Sequence, residues 1–317
     1  MKALAPALRR LPYNFASSPR NTLRPATFSQ RVTRVNPRLV RTMSTITLKD
    51  HDIQVRLPEG LSESQLLSFR PFNNWLSRLT TSLTLQSKTA FHPFHADPYA
   101  LRSITVQTYD IFGSSRIGFL KLTADVSNAA GETLPASVFL RGPSVAMLVM
   151  LIPDDAPDER YVVLTMQPRV PAGSLSFVEL PAGMVDDSGS FAGAAAKEMK
   201  EECGIEIHED ELKCLSELAG AGRASEGGGG GGEGLAEAVF PSAGGCDEFI
   251  TIYSHERRVP RGQLKEWSGK LTGLREEGEK ITLKIVPMGE LWREGARDAK
   301  CLAAVALWEG LRREGKV

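Results

Sequence analysis

The chain has 317 residues, of which 42% are hydrophobic and 24% are charged, a composition typical of a globular protein. Its formal net charge is zero, but residues 1–49 contain ten basic and no acidic residues, so the remainder carries a net charge of −10. An acidic body argues against nucleic-acid binding, which needs a basic face. No run of about 18 apolar residues predicts a membrane span, so we expect neither nucleic acid nor membrane as a partner.

Residues 1–43 form a basic leader rich in Arg, Ser, Thr, Ala and Asn. This composition is typical of an organelle transit peptide, and the leader lacks the continuous apolar core of a secretory signal. We predict a mitochondrial presequence, with a disordered basic tail as the alternative. A second translation start at Met43 would give a cytosolic form.

The four cysteines show no CxxC spacing, so the sequence predicts neither a zinc site nor a redox motif. Reduced thiols in an intracellular compartment fit this pattern. Cys203 and Cys301 fall within helical patterns and are predicted to be small core residues.

The segment after the leader, residues 44–140, is predicted to form a β-rich N-terminal domain. Helical periodicity occurs in residues 61–69 and 73–83. Residues 103–112 and 116–127 then read as two strands joined by a short turn, which predicts a hairpin.

Residues 141–317 are predicted to form a second domain in which strands alternate with helices. Residues 146–152 are apolar on both faces, as expected of a central strand. Further strands are predicted at 161–170, 248–259 and 280–288, and helices at 192–203 and 296–315. A mixed α/β (α+β) sandwich follows from this order. Residues 219–237 contain six consecutive glycines and are predicted to be a disordered surface insert.

An acidic cluster near the end of the predicted helix 192–203 is the most informative feature of the chain. Glu198 and Glu202 are four residues apart and share a helix face, with Glu201 beside them. Gly204 predicts the helix end, and carboxylates in a last turn oppose the helix dipole. A hard divalent cation would stabilise such a cluster. A solvated acidic helix face is the alternative.

Three further segments offer groups that could act together with a metal bound at this cluster. Residues 273–281 form a loop with three glutamates, which could complete a metal shell and accept a proton from water. Arg141 and Arg169 end two strands and carry guanidinium groups that match phosphate oxygens. Gly244 and Gly245 permit a ligand to approach the backbone closely. The alternative for residues 273–281 is an ordinary surface loop. The alternative for the two arginines is a surface ion pair, and for the two glycines it is a tight turn.

The stretch 183–205 resembles the Nudix box, G-x5-E-x7-R-E-U-x-E-E-x-G-U, in which U is a bulky apolar residue. Seven box positions are in register. Two depart from the pattern: Gly189 replaces the first Glu, and Lys197 replaces the Arg. Segments such as ELPAGMVDD, FLRGPSVA, FPSAGGCDE and GLREEGE are similar to plant-type ADP-sugar pyrophosphatases of the Nudix superfamily, from about residue 60 to the C-terminus.

This resemblance implies an α/β/α sandwich with a mixed sheet, preceded by a β-rich domain that mediates homodimerisation. It implies Mg²⁺, or Mn²⁺, as the cofactor. The implied metal ligands are the Ala182 carbonyl, Glu198, Glu201, Glu202 and Glu279. The implied catalytic residues are Glu277 or Glu276 as general base, with Glu201 assisting. The implied substrate-binding residues are Arg141, Arg169, Glu179, Met184, Gly244 and Gly245.

The predicted activity is Mg²⁺-dependent hydrolysis of the diphosphate of ADP-ribose or ADP-glucose to AMP and a sugar phosphate. One alternative is a Nudix hydrolase for another nucleotide such as NADH. The other is a non-catalytic Nudix module that binds ADP-ribose, which the departures at Gly189 and Lys197 would permit. The three intact box glutamates favour the enzyme.

Overall fold

We describe the chain from a computed structural model, in residues 43–49, 52–113, 115–185, 190–221, 233–274 and 279–317. All of them belong to one unit, residues 41–317. The predicted leader, except Met43, lies outside the described residues, as do residues 222–232 of the predicted insert.

The strands of the described residues are β1 Ser44–Leu48, β2 Ile53–Leu57, β3 Ala100–Phe112, β4 Arg116–Ser127, β5 Ser137–Leu140, β6 Ser144–Pro153, β7 Tyr161–Arg169, β8 Ser174–Glu179, β9 Ala182–Met184, β10 Lys213–Cys214, β11 Ile250–Val259, β12 Leu271–Thr272 and β13 Ile281–Pro287. The α-helices are α1 Glu63–Ser68, α2 Arg70–Lys88, α3 Phe191–Glu198, α4 Leu215–Gly220, α5 Arg261–Trp267, α6 Leu291–Glu294 and α7 Ala299–Arg313.

The N-terminal part is a five-stranded sheet in the order β1-β2-β3-β4-β5. The predicted hairpin is confirmed as the antiparallel pair β3 and β4. The two predicted helices are confirmed as α1 and α2, and Leu66, Phe72 and Leu76 from these helices are buried in the same core cluster as strand residues of this sheet. The β-rich character of this region is therefore confirmed, while its boundaries as a domain stay a prediction.

The second sheet has the order β10-β11-β6-β7-β13-β12, with β8 paired to β7 and β9 paired to β6. Strands β6 and β11 run parallel, whereas β6 and β9, and β7 and β13, run antiparallel. The predicted mixed sheet is thus confirmed. Short elements that carry little periodicity, such as β8, β9 and α4, were not predicted.

Strand β6 is buried along its whole length and separates two layers of helices. Val145 and Met147 belong to the core cluster that contains residues of α3 and α5. Ala146 and Leu148 point to the opposite cluster, which contains residues of α4, α6 and α7. Successive side chains of a strand point to opposite faces, and helices cover both faces of β6. Its residues are therefore apolar on both sides. The predicted α/β/α sandwich is confirmed.

Cys203 and Cys301 are buried in these two clusters, as predicted, and the four cysteines are free thiols. Among the helices of the described residues, none has the length and apolar character needed to cross a membrane.

Candidate active site at the acidic helix

The site begins at β9, which runs beside the central strand β6. Gly183 in β9 lies directly under the Glu198 side chain: a Cβ atom at Gly183 would come within 1.7 Å of Glu198 Oε1. A side chain at position 183 would therefore displace the Glu198 carboxylate, because real Cβ contacts essentially never fall below 3.0 Å. Two box residues 15 positions apart are thereby brought into contact.

Helix α3 carries the acidic cluster. Its N-cap is Ser190, whose Oγ accepts a hydrogen bond from the Gly193 amide at 2.9 Å. The helix continues beyond Glu198, but residues Met199–Cys203 form a π-helical turn where regular α-helix was expected. Such turns are rare in proteins, but those that occur are often found at functional sites. The predicted end is confirmed: Gly204 is left-handed, with φ 68°.

Glu202 is buried, with 6% of its surface exposed. Its Oε1 accepts a hydrogen bond from Gln167 Nε2, and its Oε2 accepts one from the Ala182 amide, both at 3.1 Å. Burial raises the pKa of Glu202 to about 8, and the neighbouring Glu198 carboxylate contributes to the rise. The solvated-face alternative is wrong for this residue.

Glu198 is electrostatically coupled to carboxylates from two segments. Burial, together with the charges of Glu201 and Glu279, raises its pKa to about 7, although Lys197 and Arg169 act in the opposite direction. The Oε2 of Glu279 accepts a hydrogen bond from the Leu274 amide at 3.1 Å. The fold therefore places the box within electrostatic reach of the predicted second acidic segment.

These carboxylates fit a hard divalent cation. Burial and mutual repulsion oppose their ionised forms, and a bound cation with oxygen ligands would offset both effects. Within the described ranges, no group of three His, Cys, Asp or Glu side chains already converges on one point. The roles of these carboxylates as metal ligands stay a proposal.

We predict a pH-dependent stability for the protein without a divalent cation. Between about pH 5 and pH 8 the folded state keeps protons on Glu198 and Glu202 that the unfolded state has released, so the free energy of unfolding falls as pH rises. Urea unfolding with a chelator across this window measures the slope. Glu202→Gln should flatten it and Mg²⁺ should raise stability most at the alkaline end. A slope of opposite sign with the chelator contradicts the burial of these charges.

Arg169 ends β7 and faces the same carboxylates. Its Nε donates to Glu179 Oε1 at 2.6 Å, and 41% of its side chain is exposed. Glu179 itself is 2% exposed, and Lys300 Nζ donates to its other oxygen at 2.8 Å. The Arg169 side chain is therefore accessible enough for its predicted role in binding the substrate. The burial of Glu179 favours an indirect role for it.

Arg141 follows β5 and is held by the segment after Gly244 and Gly245. The amide of Arg141 donates to Asp247 Oδ1 at 2.7 Å, and its guanidinium pairs with Glu248 at 3.1 Å. Both glycines border a separate apolar cavity, and a Cβ on either would meet open space. The fold therefore joins the two segments, without a steric requirement for either glycine.

Met184 and Arg141 line one cavity of about 350 Å³ between α2 and the second sheet. Arg78 of α2 also lines it and lies over the Phe249 ring, 4.7 Å from the ring centre. The sequence reasoning missed Arg78 and Phe249, as well as Gln167 and Lys300, because each reaches the site only through tertiary contacts. The two predicted general bases, Glu276 and Glu277, lie outside the described residues, and so does one of the two box departures, Gly189.

An α/β/α sandwich with a glycine-bearing strand under a helix of coupled carboxylates defines the class of this protein: a Nudix fold. The family model described as NUDIX domain matches residues 142–305. The chain belongs to the Nudix hydrolase family, whose members generally use divalent metal ions and act on nucleoside diphosphate-linked compounds.

A curated relative, "Nudix hydrolase 14, chloroplastic" from Arabidopsis thaliana, is 34% identical over 284 residues, which are 88% of this chain and 84% of the relative. A solved structure titled "Crystal structure of ADP compounds hydrolase" is similar to 69% of this chain and 99% of its own, with 19% identity and a TM-score of 0.42. The family model and the Arabidopsis relative confirm the predicted superfamily.

Proposed function

We propose that the protein hydrolyses the diphosphate of ADP-sugars, ADP-ribose and ADP-glucose, with Mg²⁺ as cofactor. Water adds to one phosphorus, the bridging P–O bond breaks, and the products are AMP and a sugar phosphate. Mg²⁺, or Mn²⁺, would lower the pKa of the attacking water and offset charge on the phosphate oxygens. The protein's own residues bind and orient the diphosphate and accept the proton.

The observation that carries this proposal is the buried Glu202 and the half-buried Glu198, both electrostatically coupled to the partly exposed side chain of Arg169. Carboxylates whose ionisation is costly without a counter-charge are favourable ligands for a divalent cation. A guanidinium next to them can bind the phosphate oxygens whose charge the cation would also neutralise. Ala182 adds a backbone carbonyl to the proposed ligand set, and Glu201 and Glu279 add carboxylates.

The second guanidinium, Arg141, would bind the diphosphate from the cavity side, where Met184 would contact the distal sugar. Glu277 or Glu276 would accept the proton from water, as the family resemblance implies. Arg141 is held in place by Asp247 through the backbone and by Glu248 through its side chain. Preorganisation of this kind reduces the entropy lost when the substrate binds.

Turnover of a substrate panel tests the proposal. Full-length protein with Mg²⁺ is incubated with ADP-ribose, ADP-glucose, NADH and an oxidised nucleoside triphosphate, and AMP or the corresponding monophosphate is measured. We expect release of AMP from the ADP-sugars. Preference for NADH or the oxidised nucleotide would support the alternative Nudix activity. Binding of ADP-ribose without any turnover would support the binding module and overturn the enzyme.

We also propose that the protein is a homodimer. Three aromatic rings of the N-terminal sheet form a cluster: Phe119 is 5.0 Å from Phe112 and 5.3 Å from Phe139, measured between ring centres. Ile111, Phe112 and Phe139 each keep more than a third of their surface exposed. An exposed apolar patch of this kind indicates an interaction surface.

A charge in this patch should dissociate the proposed dimer. We expect Ile111→Glu to shift the sedimentation equilibrium from dimer to monomer with little loss of stability, because Ile111 is 38% exposed. Val170→Glu is a matched control, since Val170 is 74% exposed and lies outside the patch. A wild-type protein that sediments as a monomer would contradict the proposal.

We infer that residues 1–43 are a mitochondrial transit peptide. Their basic composition supports an organelle address, and the Arabidopsis relative is chloroplastic by name. A fluorescent fusion of residues 1–45 shows the compartment to which this segment directs a protein. Accumulation in plastids would correct the compartment, and a diffuse cytosolic signal would refute the transit peptide.

A further inference from the structure

The first turn of α7 carries a buried lysine that the proposed mechanism does not use. Lys300 has 13% of its side chain exposed, and its Nζ donates to Glu179 at 2.8 Å and to Asp298 at 2.9 Å. Lysine is almost never buried unless it is paired. Burial by itself lowers the pKa of Lys300, but the charges of Asp298 and Glu179 outweigh that effect and raise it.

These groups form one connected set, which we call the α7 charge cluster. It consists of Asp298, Lys300, Glu179 and Arg169, in the order of their ion pairs. The carboxylates of Asp298 and Glu179 are 4% and 3% exposed, whereas the side chain of Arg169 is 41% exposed. The cluster therefore runs from the buried start of α7 to the partly exposed side chain of Arg169.

The accessible end of the cluster lies beside the box carboxylates. Burial lowers the pKa of Arg169, but its pairing with Glu179 and, to a smaller extent, the charge of Glu202 outweigh burial and raise it; Arg169 in turn lowers the pKa of Glu198. The guanidinium thus pairs with Glu179 and lies within electrostatic reach of Glu198 and Glu202. Its direction depends on how the Glu179 carboxylate is held.

The buried end of the cluster also fixes the main chain that leads into β9. Asp298 is the N-cap of α7, and its Oδ2 accepts a hydrogen bond from the Leu180 amide at 3.0 Å. Two residues later the Ala182 amide donates to Glu202. The same helix start therefore anchors the backbone that contacts a box carboxylate.

A stabilising role alone does not account for this arrangement. Buried ion pairs are often no more stable than apolar residues of similar volume. Pairs that fix an active-site group, in contrast, restrict its rotation and make its position reproducible. A cluster that has one accessible end beside the box is what we expect if its function is to fix the position of an active-site group.

We propose that Lys300 and Asp298 are positioning residues for substrate binding: they fix the Glu179 carboxylate, which aims the Arg169 guanidinium at the diphosphate. This inference rests on the proposed function for the role of Arg169. It assigns a function to the start of α7, which contributes no metal ligand and no proposed substrate contact.

A magnetic resonance experiment tests the positioning without any substrate. The Nε–H proton of Arg169, identified by its loss in Arg169→Lys, is followed in full-length protein. Lys300→Met should shift this signal and speed its exchange with water by about tenfold, because Glu179 is no longer held at both oxygens. Lys284→Met, which breaks the exposed pair with Glu294, should change neither. An unchanged signal in Lys300→Met overturns the proposal; if that variant fails to fold, Lys300→Gln replaces it.

Kinetics with ADP-ribose then test the consequence. We expect Lys300→Met to raise KM by about tenfold with kcat changed by less than about twofold. In an Arg169→Ala background the same change should have almost no further effect on KM. Additive effects would show that Lys300 does not act through Arg169. Absence of wild-type turnover would refute the proposed function instead, and the resonance experiment would still decide the positioning.

Discussion

Glu202→Gln is expected to abolish most of the turnover while the protein stays folded. The proposed cation stabilises the phosphate charge by several kcal/mol, and loss of about 4 kcal/mol corresponds to roughly a thousandfold in kcat. The amide keeps one oxygen that can accept from Ala182, and it removes a buried group whose ionisation burial opposes. We therefore expect equal or higher stability without metal.

The measurement is kcat with saturating Mg²⁺, together with thermal unfolding of the same samples. Glu206→Gln is the matched control, because Glu206 lies just beyond the helix end, is exposed and pairs with Lys200. It should leave both kcat and stability within error. Turnover by Glu202→Gln at more than about a tenth of the wild-type rate would refute the metal-ligand role.

Gly183→Ala is expected to impair activity far more than stability. The added methyl group would overlap the Glu198 carboxylate, so the side chain must swing away. Only the flexible end of Glu198 has to move, and the cost in stability should stay below about 1 kcal/mol. A displacement of about 1 Å at a catalytic group can reduce the rate about a hundredfold, and we expect a loss of that order.

A double-mutant cycle separates this cause from a general disturbance of β9. If Gly183→Ala acts by displacing Glu198, its effect on kcat should nearly vanish in a Glu198→Gln background. Gly289→Ala is the matched control, because a Cβ there meets open space. Wild-type activity in Gly183→Ala would show that the present position of Glu198 is not the productive one.

The central strand, the N-terminal hairpin and the two long helices could be predicted because each has a clear local period. The acidic helix could be found for the same reason: Glu198 and Glu202 sit four residues apart before a glycine. Its π-helical last turn could not, since a local sequence pattern does not distinguish π from α geometry at a helix end. Short elements such as β9 also escaped prediction, because three residues are too few to show a period.

The sequence by itself determined the chemistry of the site, because carboxylate type and spacing are local and a Nudix-like box is contiguous. The tertiary structure alone decided which distant groups act on it. Lys300 reaches Glu179 across 121 residues, and the Arg141 amide reaches Asp247 across 106. It also decided that Glu202 is buried and that a side chain at position 183 would collide with the Glu198 carboxylate. Burial and close approach depend on how the strands and helices pack together, and a sequence pattern carries no record of packing between segments far apart in the chain.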